Sequence, residues 1–235
     1  MEETKKTQYK NGLRAGIPVI LGFVPVGIAY ALMARQAGFT IGQTCAMSLS
    51  VFAGASQMMA VGMYAQGASI FAMILATFLL NLRHLIMSVC VMNRMRQDSV
   101  PVKLLAAFGV TDESFAIFTT EKPERCSAAF FLGLITVTYT SWNVGTLLGA
   151  VASDFLPPIL TASLGIALYA MFIGILMPNL TKNGRLGLLV VLTAVCNSVL
   201  VQFLDSSWAL IVSTLACALL GVFFVDLQED ADEQR

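Results

Sequence analysis

From Gln36 to Leu82 the chain reads QAGFTIGQTCAMSLSVFAGASQMMAVGMYAQGASIFAMILATFLLNL, without one Asp, Glu, Lys or Arg. A helix needs about 20 predominantly apolar residues to cross the hydrocarbon core of a bilayer. This stretch is long enough for two crossings, broken near Ala65–Ser69, with the later helix running on to about Met92. Further uncharged runs cover Ala15–Ala34, Cys126–Ser153, Phe155–Thr181, Leu186–Leu204 and Ser206–Val225, each the length of one crossing. The pattern predicts segments near 14–34, 41–64, 68–92, 127–151, 156–178, 186–204 and 207–226. An eighth stretch, 103–119, is apolar at both ends but carries Asp112 and Glu113 in its middle. Adjacent carboxylates are costly in lipid, so it either faces a protein-lined cavity or lies at the surface.

Composition agrees with a membrane protein. Of 235 residues, 57% are hydrophobic and 12% charged, against about 25% charged in a soluble domain. A 25.2 kDa globule with mean hydropathy +0.78 has too little interior to hide that surface from water, which excludes a soluble enzyme. Fourteen basic and fourteen acidic residues cancel, so there is no electrostatic footprint for nucleic acid. Five cysteines lie scattered in apolar runs without metal-ligand spacing; no disulfide framework, metal or cofactor is expected. The fold class expected is all-α: a polytopic membrane helix bundle of six to eight spanning segments, with room for discontinuous helices and an internal repeat. Residues 1–235 read as a single integral membrane domain, with a polar cytoplasmic N-terminus (1–13) and an acidic cytoplasmic tail (227–235). The polar start does not read as a cleaved signal peptide.

Basic residues bias loops to the cytoplasm, and Lys5, Lys6, Lys10 and Arg14 place the N-terminus there. Eight full crossings would strand Arg35, Arg94, Arg96 and Lys103 on the far side. A model in which 41–64 is re-entrant and 103–119 lies on the cytoplasmic face strands only Arg35, so the charge rule prefers it. Both models keep both termini inside.

Polar residues interrupt the apolar segments. Thr77, Asn81, His84 and Ser88 recur at helical spacing and share a face; Arg83 is rotated about 100° from His84. Such groups either glue helices together or line a substrate or proton path. Gln43, Ser50, Gly54 and Gln57 line a second face, within which Phe52-Ala-Gly-Ala-Ser-Gln57 combines small residues with an amide. That cluster fits close helix packing, or an unwound stretch exposing backbone to a ligand. Pro18, Pro25 and Gly27 are expected helix breaks in the first segment. Tyr139, Trp142 and Asn143 lie in the segment that ends with a GxxxG at Gly145 and Gly149. Asn197 follows Thr193 by four as Asn81 follows Thr77, the hint of a repeat between residues near 15–92 and 130–204. Asp112 and Glu113 follow Gly109 and read as a helix cap or surface turn, or as proton carriers in a desolvated pocket.

Taken in order, Pro18-x6-Pro25-x-Gly27, Phe52-Ala-Gly-Ala-Ser-Gln57, Asn81-Leu-Arg-His84 and Thr111-Asp-Glu-Ser-Phe115 resemble the AzlC family, the large subunits of bacterial branched-chain amino acid exporters. The resemblance covers nearly the whole chain and thins beyond Trp142–Asn143. It implies a multi-pass permease of the bacterial plasma (inner) membrane that exports valine, leucine, isoleucine and methionine. It also implies a small hydrophobic AzlD-type membrane subunit as partner.

A zwitterionic substrate needs a donor for its carboxylate, an acceptor for its ammonium and an apolar pocket. The residues expected along the substrate or proton path are Gly54, Ser56, Gln57, Asn81, Arg83, His84, Asp112, Glu113, Asn143 and Asn197, with Phe52, Met58 and Met59 for the apolar wall. The reading is a proton-coupled secondary exporter whose partners are branched-chain amino acids, the small subunit and membrane lipid. The alternative is an uncoupled channel or a permease for another small metabolite. An enzyme is not expected: no helix carries HExxH and the chain has one histidine.

Overall fold

A computed structural model of the chain describes residues 4–95, 98–121, 127–155 and 184–224, with positions 173, 177 and 180 between. Among the described residues there are nine helices and no strand: α1 (Lys5–Gln36), α2 (Ile41–Ser50), α3 (Gly54–Ala65), α4 (Ile70–Arg94), α5 (Val100–Phe108), α6 (Asp112–Thr120), α7 (Ala128–Ala152), α8 (Gly184–Leu200) and α9 (Ser206–Phe224). By length and composition α1 and α4 can each cross a membrane. The chain divides into two compact units, one of residues 1–67 and 77–166 and the other of 68–76 and 167–235. The segment expected at 156–178 and the acidic tail at 227–235 lie outside the described residues, apart from positions 173 and 177, which are helical.

In the first unit, α1 and α7 lie side by side and run parallel. Gly133 of α7 meets Tyr9, Gly145 meets Val24 and Gly149 meets Ile28, while Arg35 closes the far end on Ser153 and Asp154. Small residues let helix backbones approach this closely. A Cβ on Gly145 would stand 2.5 Å from the Val24 carbonyl oxygen, and one on Gly27 2.8 Å from that of Trp142. The expected helix breaks are corrected here: α1 continues through Pro18 and Pro25 from Lys5 to Gln36, and Gly27 serves close packing instead. Continuous contact with α7 holds the proline-containing turns in the helix.

The chain breaks elsewhere. Thr40 caps α2 in a reciprocal pair with Gln43; the chain leaves the helix at Val51, which is extended, and α3 begins at Gly54. Phe39, before α2, and Tyr64, at the end of α3, stack edge-on at 5.0 Å. The joining tip reaches the middle of α7, where Ser48 bonds Thr146 and Gly54 lies under Trp142. Residues 41–64 therefore fold as a helical hairpin, its two ends together and its tip against α7.

Helix α4 runs opposite to α1. Its last turns place Met87, Val91 and Met95 in one core with Phe130, Phe131 and Leu134 from the start of α7. From that end α5 climbs to Phe108, whose ring meets Tyr139 at 5.7 Å, and a Cβ on Gly109 would strike Ile135. Helix α6 then descends until Phe118 packs on Phe130 and Phe131. Arg94 holds its end by donating to the carbonyls of Phe118 and Thr119. Residues 103–119 thus belong to a second helical hairpin, its tip at the middle of α7 and its ends at the start of α7. A hairpin followed by a long helix occurs twice, as α2–α4 and α5–α7, with opposite direction. The repeat expected between residues near 15–92 and 130–204 reaches beyond the described residues.

In the second unit α8 and α9 pack through Gly221, where a Cβ would lie 2.7 Å from Leu189. Ser213 of α9 donates to Asn197 of α8 at 3.3 Å, and Phe71 meets Trp208 at 6.3 Å.

Candidate functional site

The two hairpin tips meet at Tyr139, in the middle of α7. Phe52 from the first tip packs on its ring at 5.3 Å and Phe108 from the second at 5.7 Å. The Tyr139 hydroxyl donates to the Leu49 carbonyl at 2.7 Å, satisfying a backbone oxygen freed where α2 ends. Three residues on, Trp142 seats the first tip. Its indole N–H is shared between Ser48 Oγ at 3.1 Å and Gln57 Oε1 at 3.0 Å. The Gln57 amide donates back to Ser48 at 3.3 Å, and Ser48 pairs with Thr146 at 2.8 Å. Tyr30 stacks on the indole and Phe23 meets it edge-on. Gly54 is the only residue type that fits beneath, because a Cβ there would stand 2.6 Å from the ring.

This network places Gln57 differently from the expectation. Its side chain is 0% exposed, and both amide atoms are engaged. An unpaired amide in that position would cost more than the bond itself gives, so Gln57 holds the tip on α7. Ser48, Tyr30 and Thr146 belong to the same network and were not singled out from sequence. One serine, tyrosine or threonine in a spanning helix carries no signal until the fold brings it to a tryptophan.

The polar turn of α4 lies on the other side of the tips. Ser56, at the start of α3, donates to Asn81 Oδ1 at 2.5 Å. Two residues along, Arg83 Nη1 meets Asp112 Oδ2 at 2.9 Å. Asp112 and Glu113 occupy the first turn of α6, behind the Thr111 cap. Carboxylates there are favoured by the partial positive charge of a helix N-terminus. His84 lies within electrostatic reach of Arg83 and Asp112, and so does Glu113. The sequence-predicted Ser56, Asn81, Arg83, His84, Asp112 and Glu113 are therefore gathered on one turn of α4, approached by α3 on one flank and α6 on the other. Arg83 and Asp112 remain open, with side chains 43% and 50% exposed.

The remaining expected residues go elsewhere. Asn143 donates to the Tyr139 carbonyl of its own helix at 2.9 Å. Asn197 belongs to the second unit, where it accepts from Ser213. Phe52 and Met58 are buried beside the first tip, while Met59 is half-buried.

Comparison with known proteins agrees with this arrangement. Residues 18–156, which hold both hairpins, α7 and α1 from Pro18 onward, match the family model described as AzlC protein. An uncharacterized membrane protein of Archaeoglobus fulgidus is 32% identical, over 75% of this chain and 78% of the relative. The inner membrane protein YgaZ of Escherichia coli is 29% identical, over 76% of each. The branched-chain amino acid transport protein AzlC of Bacillus subtilis is 26% identical, over 75% of this chain and 70% of the relative. No solved structure matches the chain. With its four motifs inside the matched region, the chain belongs to the AzlC family.

Proposed function

We propose that the chain is a secondary carrier that exports branched-chain amino acids across the bacterial plasma membrane. Its α1 N-terminus and its acidic tail face the cytoplasm, a small membrane subunit works beside it, and proton movement drives it. The observation that carries the reading is the pair of hairpins entering from opposite ends. Their second helices, α3 and α6, both begin at the turn Asn81–His84. Carriers place substrate at mid-membrane, against half-helices whose N-termini favour anionic groups. Two N-termini supply that for a carboxylate, and the half-buried His84 and Glu113 are the groups positioned to move a proton. The name of the Bacillus subtilis relative supports the cargo. Residues 1–235, including both compact units, act as one transport domain.

The test is export from cells fed a dipeptide containing valine or isoleucine. Cells with neither protein, with this chain alone and with this chain plus its small partner are compared. External branched-chain amino acid is expected to rise only where the chain is present, and to fall when a protonophore is added. Equal internal accumulation in all three, with the protein in the membrane, would refute the cargo. Flux that follows only the amino acid gradient would replace the coupled carrier by an uncoupled channel.

A further inference from the structure

Arg83 is the fourteenth residue of the 25-residue helix α4, which puts its charge near the midplane of a spanning helix. A charged side chain facing lipid at that depth costs several kcal/mol. Yet the Arg83–Asp112 pair is about half exposed on both sides. It also joins the middle of α4 to the inner tip of the second hairpin. A pair open on both sides holds its two elements only weakly. What the position offers is a cation and an anion 2.9 Å apart, within reach of a solute.

We propose that Arg83 and Asp112 read the zwitterion. The resting pair holds the second hairpin tip against α4. An entering amino acid opens it, its carboxylate taking the Arg83 guanidinium and its ammonium taking the Asp112 carboxylate. Each charge exchanges one partner for another, so neither is left unpaired in the membrane, and the net charge of the turn is unchanged. A solute carrying only one of the two groups would strand the other charge, which is the penalised state. The pair thus selects compounds with both groups on one carbon and ties release of the hairpin to occupancy. This inference rests on the carrier reading above.

The experiment is uptake of labelled leucine into inverted membrane vesicles from cells expressing the full chain with its partner. Unlabelled leucine, isoamylamine and 4-methylpentanoate serve as competitors. Leucine is expected to compete, and the amine and the acid to compete at least about tenfold less well, the scale of a stranded charge. The swapped variant Arg83→Asp with Asp112→Arg is made alongside. It restores an ion pair and gives up only the carboxylate's favourable place at the α6 N-terminus, so its melting temperature in detergent falls slightly, while uptake falls by about tenfold or more. Parental uptake in the swapped variant, or equal competition by a one-charge analogue, would overturn the inference and leave the carrier reading intact. No leucine uptake by the parent would overturn both.

Discussion

At the scale of single residues, two polar side chains that look alike in the sequence do opposite work. Gln57 and Asn81 are both amides in apolar helices, but Gln57 is fully enclosed while Asn81 is half-buried beside the open Arg83. Gln57 is an anchor, and its replacement by leucine should act on stability. The substitution removes an acceptor from the Trp142 N–H and a donor from Ser48, and leaves the Trp142–Ser48 bond at 3.1 Å and the Ser48–Thr146 bond at 2.8 Å. A cost of about 1–3 kcal/mol is expected, read as a lowered melting temperature of purified protein by tryptophan fluorescence. An unchanged melt with lost transport would instead make Gln57 a substrate contact. Arg35 is a second case. It is the one basic residue that a re-entrant 41–64 would put on the far side, against the charge bias. There it bonds Ser153, the Phe39 carbonyl and Asp154, so the ends of α1 and α7 account for its position.

Among the elements, the α1–α7 pair is the frame on which both hairpins hang. Its closeness depends on glycine at particular turns and not on glycine in general. A Cβ on Gly145 would press on the Val24 backbone at 2.5 Å, whereas Gly22 has nothing within 4 Å. Backbone cannot swing aside as a side-chain end can, so Gly145→Ala should force the two helices apart. Overpacking of this kind costs about 1–3 kcal/mol. Gly22→Ala removes a flexible residue from a helix interior and should be neutral or gain about 0.5–1 kcal/mol. Melting temperature and membrane abundance of the two variants check the contrast, and equal behaviour would mean that the frame is not held by backbone contact. The GxxxG at Gly145 and Gly149 was legible in the sequence because its spacing is its mechanism. The same frame hid the behaviour of Pro18 and Pro25, since nothing local records that a neighbouring helix keeps α1 continuous.

For the whole molecule, hydropathy gave helices and membrane depth but not direction. The uncharged run from Gln36 to Leu82 has the same composition whether the chain crosses or turns back. The break between α2 and α3 and the Phe39–Tyr64 contact bring the two ends of this run together, the arrangement that turning back requires. The polar turn was legible as a set of residues on one helix, because ionisable groups in apolar sequence stand out. Its division between an anchored tip and an open pair was not, because it depends on which groups the hairpins bring to Trp142 and which to Arg83. The difference between the two topologies is measurable at exposed positions. With two hairpins, Gln66, just beyond α3, lies at the end opposite the N-terminus, and Asn93, near the end of α4, lies at the N-terminal end. With eight full crossings the two positions exchange sides, while Thr120, at the end of α6, lies at the N-terminal end in both. Single cysteines at these positions, in a chain whose native cysteines are replaced by serine or alanine, can be labelled in intact cells with an impermeant maleimide. Labelling at position 66, with positions 93 and 120 reacting only after permeabilisation, is the expected result. Labelling at 93 but not at 66 would require the first hairpin to cross the membrane. The two tips would then not enter from opposite ends, and the proposal that substrate meets both helix N-termini at Asn81–His84 would lose its structural basis.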